Sequence, residues 1–265
     1  MPKQQVKANQ KLLRGVQPNA GIERAYYKRL DDLVKQMTNS FNYWFKIWYK
    51  ADPPTSKIAL DATPVREMLA KLKKLGNYWI SKFSDAAFVL APKFTVSVLK
   101  DSDNSFQNSL KDAGFGVKFQ MTRAQQDAMA AVIEENVNLI TSIPKEYLSD
   151  VTSIVSTGFS MGRNQSYIYD QLTTKYGVES RRAKFIARDQ TEKATAAFTR
   201  LRQVELGIEK AMWVHSGAGR HPRPDHVAAN GKIYDPKKGC LISGKYILPG
   251  ELPNCRCFSK PIIEV

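Results

Sequence analysis

Cysteine and histidine are scarce in this 265-residue chain, with three of each. An odd, low cysteine count excludes the disulfide framework that staples small secreted domains. Acidic residues are also short, 25 against 40 basic ones, which leaves a formal net charge of +15 and excludes a neutral or acidic surface. No run of about eighteen apolar residues occurs, so no helix is expected to span a membrane and no membrane partner is expected. The opening stretch, MPKQQVKANQKLLRG, lacks the apolar segment of a signal peptide. The expectation is a soluble, cytosolic chain. What is present is a folding composition, 43% hydrophobic and 10% aromatic, in a length that suits one large domain or two ordinary ones.

The charge is uneven. Residues 1–60 carry eleven basic and four acidic groups and residues 181–265 carry sixteen and eight, whereas residues 121–180 carry four and seven. A basic surface of this size points to a polyanion, because Lys and Arg displace the counterions of phosphate. Lys3, Lys7, Lys11 and Arg14 at one end, and Arg181, Arg182 and Lys184 further along, are the candidate electrostatic contacts.

Periodicity predicts an α+β chain, mainly α, with long amphipathic helices followed by a small loop-rich module of short strands. A basic flexible arm is expected over 1–20, an N-terminal helical region over 21–118, a second helical region over 119–212 and the Gly/Pro/His/Cys-rich module over 213–265. In the first helix Tyr26, Leu30, Leu33, Met37, Phe41, Trp44 and Trp48 make one stripe, which Asp52-Pro53-Pro54 stops. A second helix begins near Thr63-Pro64 with the stripe Val65, Leu69, Leu72, Trp79, Phe83 and Leu90. It ends near Pro92 and resumes from Phe94 to Leu110. Thr122-x-x-Gln125 is a capping-box signature for a helix that reaches Pro144, where another starts. A short helix from Ser166 to Tyr176 is expected to end at Gly177, before a long one over about 179–206.

Three groups of residues carry candidate chemistry. The Gly177 turn, with Arg181, Arg182, Lys184 and Arg188 beyond it, has the outline of a helix-turn-helix. All six Cys and His residues fall between His215 and Cys257. Cys255-x-Cys257 can chelate from one extended segment, since alternate side chains share a face. His226 or His221, with Cys240 or His215, can complete a structural zinc set. Pro224-Asp225-His226 has the outline of the metal-histidine of small nucleases, but no paired carboxylates accompany it, and nothing orients a Cys240 nucleophile toward a His215 base. The residues therefore favour a non-enzyme, with a metal-dependent nuclease using His226 and the Cys/His cluster as the alternative. No cofactor is required, and structural zinc is the one candidate.

From Ile143-Pro144 onward the chain resembles the phage Mu F-like head morphogenesis (minor head protein) family of tailed bacteriophages and prophages. The resemblance rests on Ala187-Arg188-Asp189-Gln190-Thr191, on Glu205-Leu206-Gly207-Ile208 leading to Trp213, and on Arg223-Pro224-x-His226 with Asn230-Gly231-Lys232. It is completed by Pro249-Gly250-Glu251 before Asn254-Cys255-Arg256-Cys257. The chain departs from the family pattern after Ser216-Gly217, where Ala218-Gly219-Arg220-His221-Pro222-Arg223 is one residue longer and lacks the usual acid. The resemblance implies a minor capsid protein of the virion, recruited through the portal during prohead assembly in the host cytoplasm and kept inside the head. It further implies non-specific binding of dsDNA in packaging, retention or ejection, with scaffold or major capsid protein as further partners. Within the terminal motif, Gly231 and Gly250 are expected at tight turns, and Arg223 and Arg256 to pair with Glu251 or Asp235.

Overall fold

The computed structural model describes residues 9–51, 63–219 and 221–264. The chain runs β1 (Gln10–Leu12), α1 (Ala20–Ala51), α2 (Thr63–Asp112), α3 (Arg123–Ser160), α4 (Gln165–Glu205) and β2 (Lys210–Val214). It continues through α5 (Pro224–Ala228), β3 (Ile233–Tyr234), β4 (Cys240–Ile242), β5 (Lys245–Ile247) and β6 (Phe258–Glu264). The expected mainly α, α+β class is what the structure shows. Among the described residues no helix is long and apolar enough to cross a membrane. The described residues group into two compact units: those within 9–24, 92–133 and 187–264 form the first, and those within 25–51, 63–91 and 134–186 the second.

Three expected helix breaks are absent. Pro92, Pro144 and Gly177 all lie inside continuous helices. Proline removes one backbone hydrogen bond and glycine costs about 1 kcal/mol relative to alanine. Packing on both sides outweighs those costs: Ala91 and Phe94 flank Pro92 in the core, and Ile143 and Tyr147 flank Pro144. With α4 passing straight through Gly177, the helix-turn-helix does not form.

In the second unit, α1 buries Tyr26, Leu30, Val34, Met37, Phe41 and Phe45. This 4-4-3-4-4 spacing follows the helical period more closely than the expected path through Leu33, Trp44 and Trp48. Trp44 is 39% exposed and stacks on Trp48 instead, with ring centroids 5.5 Å apart. Phe41 meets Tyr147 of α3 edge-on at 5.1 Å. Gly76 and Gly158 admit Leu148 and Ile168, since a Cβ at either glycine would lie 2.5 Å from those side chains. Glu179 is buried at 3% exposure, and one of its carboxylate oxygens has no hydrogen-bond partner. Burial raises its pKa to about 7; Asp150 pushes the same way and Lys175 opposes.

In the first unit, Asn19 caps α1, its Oδ1 accepting the Gly21 and Ile22 amides at 2.8 and 3.3 Å. The expected flexible arm is structured from residue 10. Gln10–Leu12 pairs antiparallel with β6, and Leu13 and Val16 are buried beside Phe106, Leu110 and Ile208. The four-stranded sheet runs β1-β6-β2-β3, and β4 and β5 form a separate hairpin. Half of the capping box forms. Thr122 Oγ1 accepts the Gln125 amide at 3.2 Å, but the Gln125 side chain donates to the Phe198 carbonyl rather than back to the cap. Gly207, at φ +70°, ends α4, with the Ile208 amide donating to the Gln203 carbonyl at 2.9 Å.

Arg202, 2% exposed, makes the buried polar centre of this unit. Its guanidinium donates to both oxygens of Asp103 at 2.9 and 2.8 Å, to Glu205 at 2.9 Å and to the Gln120 carbonyl at 2.8 Å. Removing the guanidinium leaves the half-buried Asp103 without its counter-charge, so Arg202→Met is expected to cost about 3 kcal/mol, the low end for a buried pair. Arg14→Ala, whose Asp112 partner is 65% exposed, should cost less than about 1 kcal/mol. Urea unfolding of both variants separates the two cases. In the second unit, the folded chain holds the Glu179 proton more tightly than the unfolded chain does. That contribution is complete at low pH and is lost as pH rises from about 4.5 toward about 7. Glu179→Gln should flatten this part of the stability profile, read as the urea midpoint against pH.

Candidate functional site

The site lies in the first unit, where β2, α5 and the loop entering β6 converge. Pro224 occupies the first position of α5, a single helical turn that carries His226. Past it, the Gly231 amide donates to the Trp213 carbonyl and the Trp213 amide to the Lys232 carbonyl, both at 2.8 Å. Gly231 makes this return at φ +86°, a conformation that favours glycine. The turn brings the His226 ring edge-on to Trp213 at 5.2 Å, and Tyr234 meets the same indole at 6.4 Å. Trp213 is fully buried and His226 is 2% exposed.

The two thiols come from the opposite side. Leu248–Cys257 returns along α4 in a tight path held at three places. The Glu251 carboxylate accepts the Leu248 amide at 2.7 Å. Gly250, at φ +83°, lies so close to α4 that a Cβ there would sit 2.6 Å from that of Ala196. Asn254, at φ +58°, donates its amide to Asp189 and accepts from Arg188 Nη2 at 2.8 Å. Asp189 also pairs with Lys193 at 3.0 Å. Gln190 beside it is buried. The extended residues that follow carry Cys255 and Cys257 to His226, whose Nδ1 lies 3.4 and 3.7 Å from the two sulfurs. All three ligand atoms lie within 4.8 Å of one another.

The electrostatics of this pocket are uneven. The Cys255 thiol is pulled down because Cys257 and the backbone amides of Cys257 and Gly250 donate to its sulfur, against the effect of burial. The Cys257 thiol is pushed up by sharing its proton with that neighbour. Burial raises Glu192 to about 7, with Arg256 and Arg188 opposing. Chemically, two thiols and an imidazole in a buried, apolar setting form a soft donor set.

Cys240 is buried in the same apolar cluster, but among the described residues it does not join the three close ligand atoms. It sits on β4, facing the core opposite its hairpin partner Ile247, and burial raises its thiol. His215 and His221 line a cleft of about 530 Å³ that the three ligands also border. His215 Nδ1 accepts the Gly217 amide at 3.2 Å, so the imidazole serves its own loop rather than Cys240. The expected ion pairs of the terminal motif do not form. Arg223 donates to the Pro253 carbonyl at 2.9 Å and Arg256 to the Ala218 carbonyl, while Glu251 and Asp235 accept amides within their own turns. Loops short of backbone partners take the guanidinium donors, because unpaired carbonyls near the core are costly.

The electrostatic residues are dispersed. Lys3 and Lys7 lie outside the described residues. Lys11 and Arg14 are exposed in the first unit, as Arg181 and Lys184 are in the second. Arg182 is engaged internally, donating to Ser142 at 2.9 Å and to Glu146 at 2.6 Å. Sequence reasoning placed Asn254 in the terminal motif without giving it a role, and missed Ala196 and Glu192 as parts of the site. The Pro253-Asn254 pair was the available signal, since asparagine tolerates a left-handed turn.

Gly250→Ala combines an unfavourable φ with a clash at Ala196 and should cost about 1–3 kcal/mol in urea unfolding. Adding Ala196→Gly should recover part of that loss, which identifies the close approach as its cause.

Residues 149–259 match the family described as Phage Mu protein F like protein. A protein of Haemophilus influenzae (strain ATCC 51907 / DSM 11121 / KW20 / Rd), described only as an uncharacterized protein, is 27% identical over 263 residues, covering 97% of this chain and 57% of the relative. The chain therefore spans a little over half the length of that relative. No solved structure matches.

Proposed function

From a chain that is phage Mu F-like across residues 149–259, we propose a minor head protein that acts in phage head morphogenesis. The observation that carries this reading is the coincidence of the family match with one interlocked build. Arg188, Asp189, Trp213, Arg223, His226, Gly231, Gly250, Glu251, Cys255, Arg256 and Cys257, the residues of the terminal motif, are spent on closing the module. His226 is buried against an indole and two thiols, a setting that suits holding structure together rather than activating water. The alternative of a metal-dependent nuclease finds no support in that setting.

In this role the chain enters the prohead through the portal, stays inside the head and contacts packaged dsDNA without reading its sequence. The net charge of +15 and the exposed cations Lys11, Arg14, Arg181 and Lys184 support a phosphate partner. Two measurements test the reading together. Mass spectrometry of purified proheads should find the chain with the portal, and its absence from every particle would sink the proposal. The purified chain should bind duplexes of unrelated sequence equally and lose roughly 10³–10⁵ in affinity between about 50 and 200 mM salt if six to ten phosphates are contacted. Binding that is indifferent to salt would leave a head protein whose charge serves a protein contact instead.

A further inference from the structure

The three buried ligand atoms have the spacing of a metal site. In a tetrahedral zinc centre with Zn–S near 2.3 Å and Zn–N near 2.05 Å, a sulfur and a nitrogen are about 3.6 Å apart. The observed separations of 3.4 and 3.7 Å from His226 Nδ1 to the Cys255 and Cys257 sulfurs bracket that value. Hydrogen bonding alone explains the cluster poorly. One imidazole nitrogen faces two sulfurs, which are weak donors and acceptors. The ligands also come from two separately anchored pieces, α5 and the loop entering β6. Both are short, and the module around them has a small core. An ion between them would cross-link the module much as a disulfide does in a secreted domain, without needing an oxidising compartment.

We infer that Cys255, Cys257 and His226 bind one zinc ion that staples α5 to the segment entering β6, with the fourth position facing the cleft bordered by His215 and His221. Two thiolates and an imidazole suit zinc over magnesium, calcium or manganese, which prefer oxygen. Cys240 takes no part.

The test uses the full chain, purified under reducing conditions from zinc-supplemented cells. Elemental analysis should give about one zinc per chain. Cobalt replacement should give a thiolate-to-cobalt charge-transfer band and the strong visible bands of a tetrahedral centre. Cys240→Ser should keep both, whereas Cys257→Ser and His226→Gln should lose the metal. Chelation should lower the melting temperature of the wild-type chain, and added zinc should restore it. The inference is overturned if the reduced wild-type chain takes up neither zinc nor cobalt, or if the Cys255→Ser/Cys257→Ser double variant keeps the metal. Should that variant fail to fold, the wild-type stoichiometry and cobalt spectrum decide alone.

Discussion

The closeness of the Leu248–Cys257 return to helix α4 is the constraint on which the C-terminal module depends. Besides packing Leu248, Leu252, Cys255 and Cys257 on the core, this loop is fixed by backbone-to-side-chain hydrogen bonds and by the absence of a side chain at the point of approach. Gly250 supplies the second and Asp189 the first. With that loop in place, Cys255 and Cys257 have one direction in which to point, and Trp213 and His226 are held against them from the other side. Arg202 does comparable work further along the same helix, fixing Asp103 of α2 and the Gln120 carbonyl. Helix α4 thus orders, from two different faces, both the strands after it and the helix before it in the first unit.

Much of this was legible in the sequence, and the misses share one cause. The mainly α character, the small strand-bearing end, the Thr122 cap and the Gly207 stop all rest on local chemistry, which a single sequence carries. Pro92, Pro144 and Gly177 were read as breaks because local propensity says so, whereas buried neighbours such as Phe94 and Tyr147 hold the helices together through them. Nothing local marks Arg202 as buried. Its partners Asp103 and Gln120 lie 99 and 82 residues away, and nothing in the intervening chain announces them. Cys255, Cys257 and His226 could be suspected of meeting because few residue types have so narrow a range of uses. Cys240 could be set apart only by where β4 lies.

The guanidinium groups show how far composition can mislead. A net charge of +15 describes the chain as a whole, yet Arg182, Arg188, Arg202, Arg223 and Arg256 are occupied by internal acceptors. Arginine donates five hydrogens from a rigid plane, which suits it to tying irregular loops together. Much of the arginine in the C-terminal third is architectural, and lysines with the remaining exposed arginines carry the field that a polyanion would meet.

The strand pairing of Gln10–Leu12 with Ile262–Glu264 has a consequence for synthesis. Residue 10 is partnered by residue 264, a separation of 254 positions at the Gln10–Glu264 contact. The sheet of the first unit can therefore be completed only once residue 264 has left the ribosome, and loop-closure entropy makes this a late event. The second unit, whose segments all precede residue 187, can assemble while the nascent chain is still growing. Until residue 264 has emerged, β1 has no β6 beside it, and during that interval β6 of another, finished copy would fit the same edge.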